Sequence, residues 1–150
     1  MRNNHITLLF RLLDRILVSG PLRKTSVEVL LGISLQRFDG NRFYDFYQGG
    51  RTEARGVIIQ RVELRLRKGA PGVGLLLLNV EESPCVTPAD IESQYTDMSI
   101  DTPRGDSPNE LVYYTAHLPS ARLSFGFAQS DPSCLVRLVI DATEVPDAER

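Results

Sequence analysis

The chain contains only two cysteines and two histidines, and these scarcities close several routes to function before any pattern is read. Cys85 and Cys134 are not spaced as CxxC, and with only His5 and His117 beside them a zinc site has too few ligands of the usual kinds. No metal and no other cofactor is expected. Long apolar runs are missing too, and no window approaches the length of a membrane helix. The most apolar N-terminal stretch, Ile6 to Val18, is cut by Arg11, Asp14 and Arg15, which the core of a secretory signal would not tolerate. Two locations stay open: periplasmic, as the mature part of an exported protein whose leader has been removed, or cytoplasmic. The cysteines carry the same pair of readings. They are separate thiols in a reducing compartment, or outside it a disulfide closing a loop of about 50 residues.

Catalytic signatures are absent as well. The chain has no G-x-S-x-G, no H-E-x-x-H and no P-loop, and Gly72-Val73-Gly74 lacks the third glycine and the helix of a dinucleotide site. Neither His117, inside a predicted strand, nor His5 has a nucleophile and a carboxylate in a triad context. Glu81-Glu82 and Asp90 with Glu92 are close in sequence, but such neighbours point to different sides of a strand or helix and do not converge. An enzyme is not expected. Arginines from Arg37 to Arg55 interleave with Phe43, Tyr44, Phe46 and Tyr47 in the manner of a nucleic-acid platform. Asp39, Asp45 and Glu53 dilute that platform, and nucleic acid is not expected as a partner.

What is present is the material of one domain. With 150 residues, 42% hydrophobic and 24% charged, the chain lies in the globular range and is long enough to bury a core without a metal. Its net charge of −2 conceals a polarity. Residues 1–70 hold 13 Lys/Arg against 6 Asp/Glu, whereas residues 71–150 hold 4 against 13. Glu81, Glu82, Asp90, Glu92, Asp97, Asp101, Asp106 and Glu110 fall in one segment with a single base, Arg104. Such a segment repels nucleic acid and attracts basic partners.

Apolar residues at Ile6, Leu9, Phe10, Leu13, Ile16 and Leu17 predict an amphipathic helix over 5–19, stopped by Gly20-Pro21. Thr25 and Glu28 form the outline of a capping box for a short second helix over 26–31, which Gly32 ends. The period then changes to two. Phe43 to Gln48, Val57 to Arg67 and Val73 to Val80 read as strands. The second has Ile58, Val62, Leu64 and Leu66 on one face with Arg61, Glu63, Arg65 and Arg67 on the other, and the third is apolar enough to be buried on both faces. From Thr87-Pro88-Ala89-Asp90 the plan restarts: a capped helix with Ile91, Tyr95 and Met98 at helical spacing, then strands at Leu111 to Leu118, around Leu123, Phe125 and Phe127, and from Cys134 to Ile140. Thr25 to Thr87 and Gly72 to Cys134 are both separated by 62 residues, which argues for duplication. The expected architecture is a single α+β domain over 1–150: an antiparallel sheet of about six strands with helices on one face. It comprises two diverged α-β-β-β units, 25–82 and 87–144, behind the N-terminal helix.

The segment Thr25-Ser26-Val27-Glu28-Val29-Leu30-Leu31-Gly32 and the strands after each cap resemble the tandem-repeat class typified by β-lactamase inhibitor protein, over about 25–141. The resemblance implies helices on one face of an antiparallel sheet whose exposed face grips another protein. The small size, acidic segment and lack of catalytic motifs are also similar to bacterial toxin-immunity proteins. The expected function is therefore an inhibitor or immunity-type protein occluding a partner's site, with an envelope assembly or scaffold subunit as the alternative and a small hydrolase as a third reading. The expected partner is a protein that is basic or has a basic cleft, bound by a monomer or homodimer. Tyr anchors and steering charge predict Tyr95, Asp97, Asp101, Asp106, Glu110, Tyr113 and Tyr114 as its contacts.

Overall fold

The N-terminal apolar stripe folds as α1 (Arg2–Val18) in the computed structural model, which describes residues 2–103 and 109–142. Leu9, Leu12, Leu13 and Ile16 are buried along it, and the helix stops where Gly20 takes a positive φ of 90°. The next helix, α2 (Lys24–Leu31), corrects the expected capping box. It begins one residue before Thr25, so that threonine sits inside the first turn, and the N-cap, Arg23, makes no side-chain cap bond. Glu28 turns elsewhere: its Oε2 accepts from the Leu35 amide at 2.8 Å and from Lys24 Nζ at 3.3 Å, fastening α2 to the chain leaving it. Gly32 does end the helix, at φ 67°. In α3 (Pro88–Gln94) the predicted box is complete, with Thr87 Oγ1 accepting from the Asp90 amide at 3.2 Å and the Thr87 amide donating to Asp90 Oδ2 at 2.8 Å.

The described residues form nine strands rather than about six. They are β1 (Gln36–Gly40), β2 (Tyr44–Gly49), β3 (Thr52–Ala54), β4 (Val57–Arg67), β5 (Gly74–Val80), β6 (Ser99–Asp101), β7 (Leu111–His117), β8 (Arg122–Ala128) and β9 (Asp131–Asp141). The three additions, β1, β3 and β6, are short, polar and peripheral, so no run of alternating residues marks them. All pairings are antiparallel in one sheet of order β1-β2-β4-β5-β9-β8-β7-β6, with β3 flanking the start of β4. Read outward from the centre, β5-β4-β2-β1 mirrors β9-β8-β7-β6. Leu77 and Val139 stand directly opposite each other at that centre, and they too are 62 residues apart.

The helices lie on one face. Leu9, Leu12, Leu13, Ile16, Val27, Leu31 and Ile91 join a single apolar cluster with Val62, Leu64, Leu76, Leu78, Leu123, Phe125, Leu138 and Ile140, which the strand register places on one side of the sheet. Two strand expectations change in detail. A register shift between Ile59 and Arg61 switches the phase of β4, so Ile59 is fully buried and Ile58 only half-buried. Strand β5 is not buried on both faces: Leu76, Leu78 and Val80 are in the core, while Leu75 and Leu77 are half-buried on the side away from the helices. Cys85, ahead of α3, and Cys134, in β9, are brought to disulfide distance with Cα atoms 5.0 Å apart. The Leu135 amide donates to the Val86 carbonyl at 2.8 Å beside them. No described helix is long and apolar enough to cross a membrane.

Candidate functional site

The alternation that feeds the core necessarily lines up a second set of residues on the opposite side of every strand. On that helix-free face β4 presents Arg61, Glu63, Arg65 and Arg67. By register these lie beside Gln48, Phe46 and Tyr44 of β2 and Asn79, Leu77 and Leu75 of β5. Beyond the centre come Arg137, Val139 and Asp141 of β9, then Arg122, Ser124 and Gly126 of β8, then His117, Thr115 and Tyr113 of β7, and Ser99 and Asp101 of β6.

The two ends of this face differ in chemistry. At the β1-β2-β4 end, guanidinium groups lie over aromatic rings: Arg65 Cζ is 5.3 Å from the Phe46 centroid, and Arg67 Cζ is 5.6 Å from Phe43 and 5.7 Å from Tyr44. Arg42 adds a second cation over Phe43 at 5.9 Å, and Phe38 leans on Phe46 with centroids 6.2 Å apart. Phe38 and Phe43 remain 42% and 52% exposed. In the middle, Arg137 donates through Nε to Asn79 Oδ1 at 2.9 Å and through Nη1 to the Tyr113 hydroxyl at 3.3 Å, tying β5, β9 and β7. Tyr113 can lie flat because its cross-strand neighbour is glycine. A Cβ at Gly126 would come within 3.0 Å of the Tyr113 ring. A polar depression of about 530 Å³, bordered by Gln60, Asn79, Glu82, Leu111 and Arg137, opens beside this bridge. Toward β6 the face becomes hydroxylic, with Thr115 Oγ1 and Ser124 Oγ 2.9 Å apart.

Against this map, the predicted contact residues separate. Asp101 and Tyr113 are cross-strand partners on the helix-free face. Tyr114 points to the other side, where its ring meets Phe127 edge-on at 5.5 Å. Tyr95 closes α3 and packs between Phe10 and Phe125, with centroids 5.9 and 5.6 Å away. Burial, with help from the Asp14 charge, pushes its hydroxyl up to about 12. Both tyrosines therefore serve the core, because helical spacing and strand alternation place them on the inward side. Asp97 is exposed in the turn after α3 with φ 57°, Glu110 precedes β7, and Asp106 lies outside the described residues. Among the described acidic residues predicted as contacts, Asp101 is the one that the strand register places on this face.

The arginine-covered rings were discounted in the sequence because three carboxylates seemed to dilute them. Asp45 is on the helix side of β2, held by Arg37 at 3.0 Å and Lys68 at 3.8 Å. Asp39 stands opposite Phe46 in the register, with its carboxylate accepting from the Gly40 amide at 2.8 Å, and Glu53 belongs to the flanking strand β3. The alternation of Arg61, Arg65 and Arg67 opposite Val62 and Leu64 was visible in the sequence, but not that β2 would set Tyr44 and Phe46 beside these arginines.

Two other places are chemically sparse. His117 Nε2 lies 3.4 Å from Ser99 Oγ, but both side chains are exposed and no carboxylate among the described residues orients the imidazole. A largely apolar pocket of about 200 Å³ lies under the start of α1, lined by Leu9, Val57, Val80, Pro84 and Leu135 with His5 at its margin. Among the described residues no group of three or more His, Cys, Asp or Glu could hold a metal ion. No protein-family model, no curated protein and no solved structure matches the chain.

Proposed function

We propose that this chain is a protein-binding inhibitor or immunity-type protein that engages a partner through the helix-free face of its sheet. The observation that carries the reading is the division of labour between the two sides. One side is consumed by the three helices and the core. The other keeps aromatic, guanidinium and hydroxyl groups at the surface on a rigid antiparallel frame. Tyr and Arg anchors of this kind concentrate binding energy because they bring large contact area with little conformational freedom to lose. The Tyr113–Arg137–Asn79 bridge fixes the middle of the face in advance. The cysteine pair at disulfide distance supports work in an oxidising compartment such as the periplasm.

The test is neutralisation rather than capture alone. Full-length chain is used to isolate its partner, and the partner's own activity is then titrated with the chain. Stoichiometric loss of that activity is expected, with Tyr113→Ala weakening the complex by about 2 kcal/mol. A partner that stays fully active in the saturated complex would replace the inhibitor reading with the assembly or scaffold one.

A further inference from the structure

Building on that reading, we propose that the β1-β2-β4 end of the helix-free face is the docking strip for an acidic segment of a partner protein. Four arginines, Arg42 in the β1–β2 turn and Arg61, Arg65 and Arg67 on β4, lie at one end of this surface. Arg65 has Glu63 at 3.2 Å. Arg61 donates to the neutral amide oxygen of Gln48 at 2.7 Å. Among the described residues, Arg42, Arg61 and Arg67 have no carboxylate partner. Cations held in place without a counter-charge present an unused attraction for an anionic surface.

The way they are held decides which anion. An arginine held over a ring by cation–π attraction keeps its N–H groups for whatever approaches, in the fork that matches a carboxylate. The cations stand over the faces of Phe43, Tyr44 and Phe46 at 5.3 to 5.9 Å from the ring centroids. A nucleobase needs those faces for itself, so single-stranded nucleic acid would have to displace the arginines before it could stack. Long-range charge acts in the same direction. Beyond the strip the same face carries Arg122 and Arg137 against Asp101 and Asp141, so it offers an extended polyanion no continuous cationic track, whereas a compact acidic segment needs none. Phe38 and Phe43, both exposed, give such a segment apolar contact beside the arginine forks.

The experiment measures fluorescence anisotropy of a labelled peptide of alternating Glu and Thr with the full-length protein. Parallel arms use an alternating Lys and Thr peptide, oligothymidylate and phosphatidylglycerol-rich vesicles. Binding of the Glu peptide that falls with added salt is expected, together with a weakening of about tenfold in the R42E/R67E variant. The charge-matched R11E/R23E variant, altered on α1 and at the start of α2, should bind as the parent does. Thermal melting checks that both variants are folded. Three results would overturn the proposal: R42E/R67E binding the Glu peptide as tightly as the parent, preference for oligothymidylate or vesicles over the peptide, or self-association of the protein through the strip. The readouts separate the two levels of inference. If partner capture survives R42E/R67E while the peptide is lost, the strip is not the contact and the protein-binding reading stands. If the peptide binds and no partner is neutralised, the inhibitor reading falls alone.

Discussion

The two ends of the sheet follow one backbone plan and carry different chemistry. From the central β5·β9 pair outward, each end adds three strands in the same order, and each sequence segment begins with a short helix. At the β1 end the outward positions hold arginine over Phe and Tyr rings; at the β6 end they hold Ser, Thr, Asp and one Tyr lying over a glycine. The buried inward positions differ much less, being mostly Leu, Ile, Val and Phe at both ends. Inward residues answer to packing, which both halves share. Outward residues answer to a partner, which meets each end separately.

The largest effects should come from asking whether the ends are one cooperative body. Phe125→Ala, in β8, should cost about 4 kcal/mol, and Leu64→Ala, in β4, about 3 kcal/mol, because both side chains are fully buried in the same cluster. Urea unfolding followed by far-UV circular dichroism and by tyrosine fluorescence should give one coincident transition for each variant. Separate transitions would break the comparison into two independent units. Next comes the covalent link. Closing the 49-residue separation between Cys85 and Cys134 should contribute about 4 kcal/mol, read as the loss of stability in reductant or in a Cys85→Ala/Cys134→Ala variant. A titration of the unreduced protein should find no free thiol.

Smaller effects distinguish the two helix starts. Thr87→Ala removes a formed capping bond and should cost about 1 kcal/mol by urea unfolding, whereas Thr25→Ala removes none and should change stability by less than about 0.5 kcal/mol. Equal losses would mean that both caps operate in solution. The smallest expected differences are in pH dependence. At Glu28 the Leu35 amide lowers the carboxyl below its ordinary 4.5, burial opposes that, and Lys24 assists. A depressed carboxyl stabilises above its unfolded value and loses that contribution as pH falls through the folded one, so Glu28→Gln should flatten the acid limb below about pH 4.5. Tyr95 works at the opposite limb. Its hydroxyl is raised from 10.0 to about 12, so its contribution is complete below pH 10 and is lost as pH climbs toward 12, and Tyr95→Phe should flatten that limb. Stability measured across both limbs for both variants tests the assignment, and an unchanged alkaline limb in Tyr95→Phe would reject it.

These contrasts also show which parts of the molecule were legible in its sequence. Helices α1 and α3 were, because an apolar stripe and a Thr-Pro-x-Asp start are local signals. The six longer strands were legible from their alternating or apolar runs. Strands β1, β3 and β6 were not, since segments of three to five mixed residues become a strand only when a neighbour supplies the hydrogen bonds. The phase of β4 was misread at Ile58 because a bulge leaves no mark in composition. The candidate face was legible at Tyr113, Asp101 and the alternating arginines of β4, but not in the meeting of those arginines with the rings, since Phe43 and Arg67 are 24 positions apart and come together only after β2 pairs with β4.

The position of β9 has a consequence for how the molecule is made. It is the last of the described strands in chain order, yet it lies at the centre of the sheet, between β5 and β8. During synthesis from the N-terminus, β1 to β5 can pair before β9 emerges, which leaves the apolar strand Leu75-Leu76-Leu77-Leu78 as an open edge. A growing chain therefore passes through a stage in which its most aggregation-prone segment waits for a strand not yet translated. Chaperone demand should peak in that interval, and a circular permutant that delivers β9 earlier should shorten it.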